Sequence, residues 1–294
     1  MLFLEQLVNG ISIGAIYALF AAGFGIVFST MRILNLAQGV YATYGAMCAY
    51  FVMNSLHWSF WLAGVIGIVA GAAVAVLVDQ VAFEPLRRRS VNQLLGAVIA
   101  SIGMWIALED VLSIATSSTP IGFPTSRQPS GLLLSGRVPI LKSQVIAVIC
   151  AIVGVSVVYL VLNHTNIGSA IRAVGFERRT AQIVGINPRT MIITAAALSG
   201  AITGLAGILL ATGSTFDYTM GDGLLLQGFA AVVIGGMDDI RGSALAGLLI
   251  GIVQVMSASY ISSSFQDVIT FGLVIIVLLW RPMGLFRTGN LQRA

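Results

Sequence analysis

Of 294 residues, 57% are hydrophobic and 9% charged, and the mean hydropathy is +0.97. A soluble domain carries about a quarter charged residues, so this surface holds too few charges to face water. The net charge of +4 is no nucleic-acid signal, because its origin is topological.

The charges that exist are clustered. Gln6 to Met31 and Gln38 to Val78 contain none. In hydrocarbon every backbone N–H and C=O must be satisfied within its element, and these runs lack the alternation of barrel strands. An all-α, polytopic integral membrane helical bundle is expected. A span needs about 20 apolar residues, which places spans near 7–29, 38–56, 59–82, 92–116, 143–163, 190–214, 224–237, 242–259 and 266–280. The total is about eight to ten, with 224–237 short enough to be re-entrant or broken and the fourth apolar stretch stopping near Leu108, ahead of Glu109 and Asp110. Glu5, with no Lys or Arg ahead of the first apolar run, argues against a cleavable signal peptide. Cys48 and Cys150 fall inside apolar windows and read as small hydrophobes.

Alternation of nine spans leaves one free choice of orientation. With Arg87, Arg88 and Arg89 inside, so are Arg32, Arg172, Arg178, Arg179, Arg189, Arg241, Arg281, Arg287 and Arg293, against Arg127, Arg137 and Lys142 outside. The positive-inside rule then puts the C-terminus in the cytoplasm. The connection at 117–142, rich in Pro, Ser and Gly, is an extracytoplasmic loop of turns and short extended pieces. The one at 164–189 is cytoplasmic, with an amphipathic helical stretch from Arg178 to Val184 and a break at Asn187–Pro188. Small-xxx-small pairs at Gly10/Gly14, Gly67/Gly71, Gly200/Gly204 and Gly247/Gly251 mark close helix approach.

Enzyme signatures are lacking. There is no phosphate-binding G-x-x-x-x-G-K-[ST] loop and no G-x-S-x-G elbow; His57 and His164 lie in separate loops without a nearby Cys, and Asp217 and Asp222 share one short outer loop. If ATP drives this protein, another chain hydrolyses it.

Two polar constellations remain. Asn35, Gln38, Tyr41 and Tyr44 recur at spacings of three, roughly along one helical face, with Gly39 and Gly45 thinning the packing beside them. Uncharged amides and phenols suit a path for a small polar solute, and equally suit capping and gluing of helices. In the inner loop Arg172, Glu177, Arg178 and Arg179 stand beside Ala181, Gly185, Ile186 and Asn187. That pattern fits a short helix docking into a partner's groove, or a solvated basic loop.

At these residues the chain resembles a known family. ALFAAGFGIVFSTMRILNLAQGVYATYGA is similar to the N-terminal hallmark of LivH-type permeases of branched-chain amino acid ABC transporters. RAVGFERRTAQIVGIN resembles their ATPase-coupling loop, and GGMDDIRGSALAGLLIG and RPMGLF match the family style. The family often has His where Gln38 stands and an acidic residue where Arg178 stands. The resemblance implies one transmembrane permease domain over 1–294 in a bacterial inner membrane, importing Leu, Ile or Val by alternating access. It also implies a second homologous permease subunit, two ATP-binding cassette subunits that bind the ATP and Mg, and a periplasmic substrate-binding protein. No cofactor or metal is expected in this chain, and its remaining surface meets membrane lipid. Relatives that carry urea, short amides or aromatic acids are alternatives. An ion-coupled secondary transporter is the rival class; it would need intramembrane carboxylates, for which Asp79, Glu109 and Asp110 are the candidates.

Overall fold

The computed structural model describes residues 2–88, 93–124, 129, 131–134, 140–237, 239–281 and 284–285. Arg89, Arg127, Arg137, Arg287 and Arg293, used above for orientation, lie outside the described residues, as does much of the 117–142 loop. The long helices are α1 (Leu2–Met31), α2 (Gln38–Ser55), α3 (Phe60–Val78), α5 (Gln93–Thr116), α6 (Lys142–His164), α9 (Pro188–Ala211), α10 (Met220–Gly235), α11 (Ile240–Tyr260) and α12 (Gln266–Trp280). α3 runs through a π-helical turn, Asp79–Phe83, into the short α4 (Glu84–Arg88). Between α6 and α9 lie α7 (Asn166–Phe176) and α8 (Arg178–Ile183). In the loop after α5, β1 (Leu132–Leu134) pairs antiparallel with β2 (Ile140–Leu141), as expected of short extended pieces.

α5 covers Gln93–Thr116, as expected of the span at 92–116, and carries Glu109 and Asp110 past its apolar part. Two readings need correction. Asp222 is not in a loop; it lies in the first turn of α10. The 164–189 connection contains α7 as well as α8, because Thr165 caps a new helix by accepting from Gly168 N–H at 3.1 Å. The break at Asn187–Pro188 is where expected: Asn187 accepts from Arg189 N–H at 3.1 Å and Pro188 opens α9.

Among the described residues seven helices are long and apolar enough to cross a membrane, counting α3 with its extension to Arg87 and α12 with the 3-10 turn that begins at Ser263; α2 and α10 are the other two of the nine stretches read from the sequence. Both begin part-way through the bundle. Next to the start of α2, Leu36 N–H donates to Ser101 Oγ at 3.2 Å, and Tyr44 OH reaches Leu108 O at 3.0 Å. Beside the start of α10, Trp105 Nε1 donates to Asp222 Oδ1 at 3.0 Å. These partners all lie in the middle of α5, so non-helical segments 32–37 and 212–219 dip into the bundle before each helix starts. Irregular backbone at membrane depth is tolerated where protein surrounds it. The expected break at 224–237 is thus a late start, at Met220, and 38–56 shares it.

The four glycine pairs explain how the bundle closes. Gly10 and Gly14 of α1 face Gly251, Leu248 and Ile252 of α11, and Gly247 faces Ala18. In the same antiparallel manner Gly71 of α3 faces Gly200 and Gly204 of α9, Gly204 faces Gly67, and Gly67 itself turns to Gly45 of α2. A Cβ on Gly14 would stand 2.6 Å from Leu248 O, and one on Gly71 2.5 Å from Gly200 O. Backbone meets backbone at both seams. The half-length helices meet reciprocally: a Cβ on Gly39 would strike Gly221 O, and one on Gly221 would strike Gly39 O. α1–α2–α3 and α9–α10–α11 therefore form an inverted repeat, each triplet running against the other. α1 and α9 are buried over most of their length, whereas α5 and α12 expose broad apolar faces.

Candidate functional site

The centre of the repeat is the meeting of the two half-helix starts. Segment 32–37 carries backbone groups that no helix satisfies, and polar side chains take over. Asn35 Oδ1 accepts from Ala37 N–H at 3.1 Å, and its Nδ2 donates to Tyr41 OH at 2.8 Å. Gln38 is wholly buried; its Nε2 donates to Ser199 Oγ at 2.8 Å and to Thr203 Oγ1 at 2.6 Å on α9. Ser199 in turn donates to Gly23 O on α1 at 2.7 Å. Gln38 Oε1 has no partner among the described residues. Thr43 Oγ1 accepts from Gly221 N–H at 3.1 Å, which satisfies one free donor of the α10 start.

The four polar residues therefore do not share a face. Three residues turn a helix by about 300°, so each step drifts roughly 60°. Asn35 precedes the helix, Gln38 points to α9, Tyr41 packs near Val78 of α3, and Tyr44 turns to α5. Asn35, Gln38 and Tyr41 are buried, and Tyr44 is half-buried. Gly39 and Gly45 are contact points: Gly39 lies against Gly221, and a Cβ on Gly45 would stand 2.7 Å from Gly204 Cα.

Beside Tyr44 the structure adds residues that sequence reading missed. Glu109 of α5 and Asp222 of α10 lie side by side, with the Trp105 indole donating to Asp222 Oδ1. All three are half-buried on the side where α5 flanks α2 and α10. A second network joins α1, α10, α11 and α12: Tyr17 OH donates to Gln254 Oε1 at 2.6 Å, and Gln227 and Gln254 both donate to Asp267 Oδ1, at 2.9 and 3.3 Å. Single polar residues in apolar helices announce such networks faintly, since spacing along one helix says nothing about partners on three others.

At the arginine-rich end, Asp79 is buried and held bidentately by Arg87, at 2.7 and 2.9 Å. Arg87 also meets Glu84 at 3.0 Å, and Arg189 reaches Gln80 Oε1 at 3.2 Å. Arg178 lies close by; burial and then Arg87 lower its affinity for its proton, while Asp79 and Glu84 oppose them. Asp79 is thus neutralised inside the protein. The 164–189 residues divide sharply. Ala181 is buried in the cluster holding Val27, Met31, Val174 and Ile192, and Gly185 ends α8 with a φ of 85° and open space around it. The small-residue pattern Ala181-x-x-x-Gly185 therefore serves packing and capping. Beside the exposed Arg179, Thr180 and Gln182 of α8, a small apolar patch projects: Ile183 is 87% and Val184 74% exposed, next to Phe176 at 81%. Arg179, Glu177 and Asn187 are exposed, Ile186 is half-buried, and Arg172 sits on α7 apart from α8.

The comparisons with known proteins agree with this architecture. The family model described as "Branched-chain amino acid transport system / permease component" matches residues 6–278. The high-affinity branched-chain amino acid transport system permease protein LivH of Escherichia coli (strain K12) is 28% identical over 304 residues, covering 99% of this chain and 97% of that protein. The probable branched-chain amino acid transport permease protein LivH of Methanocaldococcus jannaschii is 30% identical over 280 residues, covering 91% and 87%. Among solved structures, PsaBC from Streptococcus pneumoniae in complex with Fab superposes with a TM-score of 0.50 at 12% identity, covering 95% of this chain and 91% of that one, which speaks to the fold. The chain belongs to the branched-chain amino acid transport system permease family: it is a multi-pass membrane subunit of an ABC transporter, with ATP hydrolysis left to other subunits.

Proposed function

We propose that this permease imports leucine, isoleucine or valine, and that the solute passes where α2, α5 and α10 meet. The observation that carries this reading is the encounter of two helix N-termini, those of α2 and α10, part-way through the bundle. The positive ends of the two helix dipoles favour a carboxylate there. Glu109 and Asp222 offer acceptors for an ammonium group, so the two ends of a zwitterion find opposite partners. On this reading the buried Asn35, Gln38 and Tyr41 close the passage, and the half-buried Tyr44 stands at its edge. Gly39 and Gly45 leave α2 free of interlocking side chains on the faces turned to α10 and α9, so it can shift during alternating access.

Energy arrives from partners. The arginine-rich end is cytoplasmic, as is the C-terminus, and the exposed Phe176, Ile183 and Val184 dock into a groove on an ATP-binding subunit. Two such subunits, a second homologous permease and a periplasmic binding protein complete the assembly. The Asp79–Arg87–Glu84 cluster, close to both Arg178 and Arg189, passes the movement of α8 to α3 and α9. Ion coupling loses its candidate at Asp79, which has a bidentate arginine in place of a mobile ion.

The test is ATP-dependent uptake of labelled leucine by the reconstituted complex, with Asp222→Asn, Glu109→Gln and Tyr44→Ala compared singly. Each substitution should raise the KM for uptake or lower its maximal rate while the complex still assembles. Unchanged rate and affinity in all three would move the route elsewhere.

A further inference from the structure

α6 and α11 both lean on α1 but scarcely touch each other, which leaves a groove with α1 as its floor. Its upper part is a cavity of about 330 Å³ lined by Ile11, Ala15, Ala18, Ala151, Ile152 and Leu248 among others, and its walls are almost wholly apolar. One turn further along the same two helices, the character changes. A second cavity of about 300 Å³ is lined by Ser29, Tyr159, Asn163, Arg172, Asp239 and Arg241. The two follow one another along the helices: α6 contributes up to Ser156 above and from Tyr159 below, and α11 contributes Ala244 above and Arg241 below.

The lower cavity is built for negative charge. The Arg241 guanidinium stacks on the Tyr159 ring, 3.8 Å from its centroid, which fixes its position. Arg172 comes from α7 on the other wall, and Asn163 and Ser29 add hydrogen-bonding groups. Among the described residues that line it the single carboxylate, Asp239, caps α11, accepting from Arg241 N–H at 3.0 Å. Two arginines therefore face one carboxylate already in use.

From Val148 to Asn163 the groove follows α6 for about 22 Å, rather more than one leaflet's half of a hydrocarbon core about 30 Å thick. An apolar trough of that length, open to the bilayer and closed at the arginine-rich end by a basic polar cup, has the shape and charge pattern of one amphiphile. We propose that the α6–α11 groove is a binding site for an anionic phospholipid, its acyl chain against Ala15, Ala18 and Ala151 and its phosphate between Arg172 and Arg241. Basic pockets between membrane helices take acidic headgroups for the same reason. Small residues in the floor keep the trough deep enough for a chain.

The test uses the whole complex in phosphatidylcholine nanodiscs carrying a trace of a lipid with a photoactivatable acyl chain, either phosphatidylglycerol or phosphatidylcholine. Phosphatidylglycerol should label residues such as Ile152 and Leu248 strongly, and phosphatidylcholine weakly. Arg172→Gln and Arg241→Gln should each lower phosphatidylglycerol labelling about fivefold, given the typical contribution of one arginine near a headgroup. Ala151→Trp should block labelling from the apolar side while both arginines remain. Equal labelling by the two lipids would reduce the groove to ordinary annular contact and overturn the proposal. So would a groove left unlabelled in the intact complex, which would mean that another subunit covers it, or displacement of the lipid by inorganic phosphate. Size-exclusion of each variant complex separates lost lipid binding from lost assembly.

Discussion

Asp79 shows how a single residue can mislead when read alone. In sequence it is a carboxylate at the end of an apolar run, one of three candidates for the intramembrane ligand an ion-coupled carrier would need. In the structure the π-helical turn that begins at Asp79 brings Arg87 back onto it, and the pair is buried. Removing one partner leaves an uncompensated charge inside the protein. Asp79→Ala should cost about 3–5 kcal/mol, read as a lower thermal unfolding midpoint of the purified complex. Asp79→Leu combined with Arg87→Met should recover much of that loss, because the desolvation of both charges disappears together. If the double variant is no better than the single one, the pair does more than neutralise itself. Gln38 makes the companion point: its polarity in an apolar window was plain, but its partners, Ser199 and Thr203, lie 161 and 165 residues away.

Helices in a membrane meet without a hydrophobic driving force between them, so their seams depend on how closely backbones approach. Gly71 and Gly64 sit on the same helix and separate the two roles a glycine can play. Gly71→Val drives carbon into the Gly200 carbonyl, where no flexible side chain can yield. It should destabilise by about 1–3 kcal/mol or more, seen as lost expression or early thermal unfolding. Gly64 has nothing within 4 Å of its would-be Cβ, so Gly64→Ala should leave both readouts unchanged. α8 offers a different contrast. Ala181 and Gly185 hold it in place, whereas Ile183 and Val184 project from it. Ile183→Asp with Val184→Asp should strip the ATP-binding subunits from the purified complex and abolish ATP-driven uptake, while this chain keeps its own thermal stability. Retention of those subunits would refute docking through α8.

For the whole molecule the governing facts are the division of the chain into helices and the side each end occupies. Orientation is open to direct test in a chain with Cys48 and Cys150 replaced. A cysteine at His164, exposed at the end of α6, should react with a membrane-impermeant maleimide in inverted vesicles and stay protected in right-side-out ones. A cysteine at Leu56, exposed between α2 and α3 at the opposite end, should show the reverse. The swapped pattern would invert the assigned topology.

Charge poverty and lipid-length apolar runs were enough to establish a polytopic helical bundle, the glycine seams and the short helix near Arg178, because these depend on solvent and local spacing. Which glycine met which, the late starts of α2 and α10, the Glu109–Asp222 contact and the neutralised Asp79 were decided by tertiary structure. Each is a contact between segments far apart in the chain, and in an apolar helix one polar residue carries no mark of the partner that will satisfy it.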